Sequence, residues 1–135
     1  DMFNLPYHSV CTTSTHDMTP LRNWWKEDPE KTQRYYNHVL QRIGEAPDEC
    51  TAEIVAQIIS NHLKTRSMLT IIPLQDWFAM DDSIKRKDIE SERINVPANS
   101  THYWRYRMHI TLEQLLQADN LNNKIVSLIK EAGRK

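Results

Sequence analysis

The sequence predicts an α/β fold, mostly helical, built on two short parallel strands joined by a helical crossover. Three observations predict it. Val10–Ser14 and the run MLTIIPL at 68–74 are the two stretches with β-branched, strand-like character. About fifty residues of helical pattern separate them, the length of a right-handed crossover between parallel strands. Both stretches also end alike, the first in His16-Asp17 and the second in Gln75-Asp76.

Taken in order, the elements have local reasons. Val10 and two threonines favour extended backbone over 10–14. Pro20 suits the first turn of a helix, with Thr19 as its cap. Pro29 suits the start of a second helix running toward Ile43, with Gly44 as its stop. Pro47 falls in a loop. Residues Thr51 to Thr65 form the clearest helical pattern, because Ile54, Val55, Ile58, Ile59 and Leu63 recur on one face. The run 68–74 is nearly continuously apolar, which predicts a strand buried on both faces, as in parallel sheets. Residues 81–103 are polar and irregular. Thr111 and Gln114 stand at capping-box spacing and open another helix. A last helix carries Leu121, Ile125, Leu128 and Ile129, with Gly133 beyond it.

Composition narrows the function. With 17 Lys+Arg against 18 Asp+Glu, the net charge of −1 offers no broad basic field for nucleic acid or an anionic membrane. Two glycines are too few for a P-loop or a dinucleotide-binding turn. Cys11 and Cys50 match no metal or disulfide spacing, and no apolar run approaches the ~18 residues of a membrane span. No signal-like segment precedes the first strand. The expectation is a cytoplasmic globular protein without metal or cofactor. The chain starts at Asp1 rather than at a methionine, so it is read as part of a longer protein.

In parallel barrels, active sites gather beyond the C-terminal ends of the strands. His16 and Asp17 are therefore placed on a catalytic rim. Two strands cannot close a barrel, which takes ~250 residues, so the chain reads as the C-terminal part of a larger enzyme. Plainer readings stand beside this one. Asp17 could be a helix cap. Gln75-Asp76 reads as a hydrogen-bonding group at a strand end. Trp24, Trp25, Tyr35 and Tyr36 read as helix-packing aromatics. The basic and aromatic run YWRYRMH at 103–109 reads as an exposed element packing on a barrel rather than as a nucleic-acid segment. His8, Cys11, His16 and Asp17 match no zinc pattern.

Three blocks, STHDMTPLRNWW, IIPLQDWFAM and ERINVPANSTHYWRYRM, resemble in order and spacing the C-terminal third of the family-77 glycoside hydrolases, the 4-α-glucanotransferases or amylomaltases. The wording is similar to the larger branch typified by the plant cytosolic enzyme and its bacterial relatives. Met18 and Pro97-Ala98 stand where many smaller members have Asn and Pro-Gly. The resemblance implies that residues 1–135 are the last two strands of a (β/α)8 barrel with their helices, and that starch-binding modules lie upstream. It implies transfer of α-1,4-glucan segments between sugars with retention, by a nucleophile and an acid/base upstream of Asp1. By the motif, Asp17 is the third family carboxylate, gripping sugar hydroxyls at the cleavage point. His16 contacts a hydroxyl in the same subsite, and Asn95 lies near the acceptor side. Trp104 and Arg105 fall in a W.R block whose role is as readily structural as functional. The partner is an α-glucan; the isolated chain is expected to be mostly helical, inactive and prone to self-association. The alternative from the residues alone is a self-standing helical interaction module.

Overall fold

The structure, a computed structural model, describes residues 4–134. In chain order it contains β1 (Val10–Cys11), α1 (Leu21–Glu27), α2 (Pro29–His38), α3 (Ala52–Leu63), β2 (Leu69–Thr70), α4 (Leu74–Phe78), a 3-10 turn (Glu90–Glu92), α5 (Leu112–Leu116) and α6 (Asp119–Glu131). The two strands pair in parallel, with Val10 opposite Leu69 and Cys11 opposite Thr70. Helices α1 to α3 make the crossover between them.

Both strands are shorter than the sequence predicts, for identifiable reasons. After Cys11, the Thr12 hydroxyl donates to the Ser14 carbonyl at 2.6 Å and bends the chain out of the ladder. Pro73 has no N–H to extend β2 and becomes the N-cap of α4, so Gln75 and Asp76 lie in a helix instead of at a strand end. Nor is the 68–74 run buried on both faces. Met68, Leu69 and Ile71 are about half exposed, and Ile72 is its buried member.

The core lies where the periodicity places it. Ile54, Val55, Ile58, Ile59 and Leu63 of α3 are all buried, together with Trp25, Phe78, Met80 and Leu121. Each such side chain contributes roughly 1.5–3 kcal/mol relative to an exposed one. Thr51 caps α3 by accepting from the Ile54 N–H at 3.3 Å. The four aromatics hold α1 against α2: Trp24 meets Tyr35 edge-on at 5.2 Å, and Trp25 meets Tyr36 at 6.4 Å. The Trp25 indole N–H is satisfied by the Pro47 carbonyl at 2.8 Å.

Two helix ends differ from expectation. The N-cap of α1 is Pro20, whose side chain offers no acceptor; the Asp76 carboxylate of α4 serves instead, accepting from the Leu21 N–H at 3.0 Å. Helix α2 is capped by Asp28 but ends at His38 rather than near Ile43. Leu40 turns into the core, Gln41 takes a left-handed φ of 54°, and the Asn37 amide donates to the Arg42 carbonyl at 2.8 Å. The capping box of Thr111 and Gln114 is present in full.

At the other end, Gly133 sits at φ 69° just past α6. Its N–H bonds the Lys130 carbonyl and that of Arg134 the Ile129 carbonyl, the Schellman arrangement that favours glycine there. The turn delivers the Arg134 guanidinium to the carbonyls of Leu63, Thr65 and Ser67, closing the C-terminal end of α3.

Candidate active site

Beyond β1 the chain makes a tight turn in which the Met18 N–H bonds the Thr15 carbonyl at 3.0 Å. Ser14 before it is buried, and Pro20 after it starts α1. The turn is therefore anchored at both ends, and His16 and Asp17 stand at its exposed crest. Thr13 fixes its base by donating to the Asp76 carboxylate at 2.5 Å.

The second wall comes from far along the chain. After the 3-10 turn, Arg93 is extended and carries the chain past the crest. There the Asn95 amide donates to Asp17 Oδ1 at 2.7 Å, across 78 positions of sequence. His16 Nε2 lies 3.3 Å from Asp17 Oδ2. The His16 ring also packs against Trp104, with centroids 4.9 Å apart and planes tilted by 50°. All three residues singled out by sequence, His16, Asp17 and Asn95, thus meet at one point, and Trp104 joins them. The crest is open to solvent, with the side chains of His16 and Asp17 each 52% exposed.

An ionised carboxylate has about four acceptor positions. Asn95 occupies one on Oδ1 and His16 approaches Oδ2, which leaves room on each oxygen for another donor. The arrangement can hold a polyhydroxylated ligand by its hydroxyls while presenting a negative charge to it. Among the described residues, no group of three His, Cys, Asp or Glu is placed to hold a metal ion.

Behind this cluster lies a buried polar seam that sequence reasoning did not single out. Arg22 of α1 pairs with Glu92 at 3.0 Å and also donates to the Arg86 carbonyl at 2.7 Å. Asn23 donates to Glu90 at 2.9 Å, and Gln75 donates to the Glu92 carbonyl at 3.1 Å. Glu92 also lines a small cavity of about 30 Å³ that reaches His16. The available signal was weak: in ERIN, two charged residues precede the asparagine, and Arg22 follows Asp17 at no diagnostic spacing.

Burial pushes the Glu92 carboxyl up to about 7 from an ordinary 4.5, although Arg22 opposes the shift. The folded chain therefore holds this proton more tightly than the unfolded chain does. The stabilisation this supplies is complete below pH 4.5 and is lost as the pH rises through about 7. Glu92→Gln cannot titrate. Its melting temperature relative to wild type is expected to climb between those two pH values and level off above them. Thermal melts across that range check this; a difference that is flat or falls with pH contradicts it.

The family model described as 4-alpha-glucanotransferase matches residues 1–113. The chain belongs to glycoside hydrolase family 77. The family-77 chain is 39% identical over 128 residues to the 4-alpha-glucanotransferase DPE2 of Oryza sativa subsp. japonica, covering 95% of this chain and 14% of that protein. A 4-alpha-glucanotransferase of Chlamydia trachomatis is 31% identical, covering 89% of this chain and 22% of its own length. The chain thus spans less than a quarter of either relative. Among solved structures, the amylomaltase from Streptococcus agalactiae in complex with acarbose superposes with a TM-score of 0.72 at 18% identity, over 98% of this chain and 23% of that one. At that identity the superposition speaks for the fold alone. No helix among the described residues is long and apolar enough to cross a membrane.

Proposed function

We propose that residues 1–135 are the C-terminal portion of the (β/α)8 catalytic domain of a 4-alpha-glucanotransferase, contributing the last two strands, their helices and one wall of the active site. The observation that carries the reading is the Asp17–Asn95–His16 cluster beyond the end of β1, in a chain whose family is that of the 4-alpha-glucanotransferases. Supporting it, Val10 and Leu69 of the strands and Ile71 just after β2 are about half exposed, as apolar residues awaiting barrel neighbours are. The rest of the barrel, and any starch-binding modules, lie upstream. The alternative of a self-standing interaction module has no such support.

The substrate is an α-glucan, and the reaction moves an α-1,4-linked segment to another sugar with retention. A retaining double displacement needs a carboxylate nucleophile and a carboxylic acid/base about 5 Å apart. Both come from the missing part of the barrel. Asp17 supplies the third carboxylate. Its free acceptor positions take sugar hydroxyls, and its charge faces the ring as positive charge develops there. Asn95 and His16 fix its orientation, and His16 and Asn95 themselves contact sugar hydroxyls. Trp104 braces the His16 ring.

The test compares full-length protein with the isolated chain. Full-length protein incubated with maltotriose is expected to release glucose and build longer maltodextrins. The isolated chain is expected to do neither above a boiled control, and to self-associate in sedimentation through its exposed strand faces. An active or rigidly monomeric isolated chain overturns the reading.

A further inference from the structure

We propose that the buried Arg22–Glu92 pair is a positioning device, which locks the segment carrying Asn95 onto the segment carrying Asp17 and so aims the Asp17 carboxylate. This rests on the proposed role of Asp17. Arg22 lies five residues after Asp17, on the first turn of α1. Glu92 lies three residues before Asn95, in the 3-10 turn that launches the extended strand of chain leading to it. The 3.0 Å pair therefore ties together the two stretches whose tips meet at the 2.7 Å bond between Asn95 and Asp17. Two further bonds run parallel to it, Asn23 to Glu90 and Arg22 to the Arg86 carbonyl. Gln75 fixes the Glu92 main chain from α4.

The pair is a poor device for stability alone. Its side chains are 9% and 3% exposed, so both groups are stripped of water. Such pairs often stabilise a fold no better than apolar residues of the same volume. This one is also incompletely satisfied. Glu92 Oε2 and Asn23 Oδ1, both on side chains of this seam, are buried without a hydrogen-bond partner among the described residues. What the pair does supply is geometry: a directional link from a guanidinium donor spanning 70 positions of sequence, one short step from the site.

The test uses the full-length enzyme and a double-mutant cycle. Glu92→Ala should lower kcat roughly tenfold to thirtyfold with little change in KM, because a misaimed Asp17 is felt in the transition state rather than on binding. Glu92→Gln, which still accepts from Arg22, should restore most of that loss. Asn95→Ala should lower kcat as well, and adding Glu92→Ala to it should cost less than threefold more, since both act through the same bond. If Glu92→Ala does not fold, Glu92→Asp, one methylene short of Arg22, carries the same cycle. Fully additive effects, or unchanged kcat in folded Glu92→Ala or Glu92→Asp, overturn the proposal. Wild-type enzyme without transferase activity would instead remove the proposed function beneath it.

Discussion

Asp17→Asn in the full-length enzyme is expected to lower kcat by roughly two to three orders of magnitude while changing KM little. The expectation follows from the role proposed for the carboxylate. It is half exposed, and its protein partners, Asn95 and His16, sit at the same crest. Asparagine keeps the shape and one acceptor oxygen. It loses the negative charge and places an amide NH2 where an acceptor stood. Hydroxyl contacts that tighten as the sugar ring flattens are worth several kcal/mol, and ~3–4 kcal/mol is the scale of the loss. Stability should barely change, since exposed ion pairs contribute little. The plainer reading of Asp17, a helix cap, makes the opposite forecast, because asparagine caps as well as aspartate. Asp17 is not the cap of α1, which begins after Pro20 and takes its acceptor from Asp76. Steady-state kinetics beside a thermal melt decide it, and near-normal kcat removes Asp17 from the catalytic set.

Asp76→Ala is expected to destabilise the chain by about 3 kcal/mol. Asp76 is 1% exposed, in the first turn of α4. One oxygen accepts from the Thr13 hydroxyl at 2.5 Å and the other from the Leu21 N–H at 3.0 Å. Alanine orphans both donors, strips the first N–H of α1 of its side-chain acceptor, and leaves a void between β1, α1 and α4. Burial pushes this carboxyl up while the two hydrogen bonds draw it down, which marks a site where the bonds must offset desolvation. Asp76→Asn keeps one acceptor and should cost less than half as much. Urea melts at low protein concentration measure both. A loss under 1 kcal/mol for alanine would show that the Thr13 and Leu21 bonds are replaced by water. The loop bearing His16 and Asp17 hangs between these two anchors, so the same change should loosen the crest.

Asp76 also shows where local reading stops. The apolar run before it looks like a strand to anyone counting residues, yet Pro73 starts a helix that places its carboxylate under the first N–H of α1. The half-exposed 68–71 stretch is a similar case. Its composition describes the environment proposed for it in a complete barrel, while the chain alone leaves that surface uncovered.

What the sequence determined by itself is what short-range chemistry writes. The apolar face of α3 recurs every three or four residues, the Thr111–Gln114 box closes within one turn, and Gly133 alone accepts its left-handed turn at no cost. The parallel pairing of two strands across a helical crossover was legible too. Ordered motif blocks, rather than any period, singled out His16, Asp17 and Asn95, which the fold brings together. Tertiary structure decided the rest. Where α2 stops depends on Leu40 finding the core, and what caps α1 depends on a carboxylate 55 positions away. That Asn95 meets Asp17, that Trp104 meets His16, and that Arg22 meets Glu92 are contacts between residues 70 or more positions apart. No spacing rule reaches that far, because such pairs are set by how the elements pack and by which buried polar atoms must find partners once water is gone.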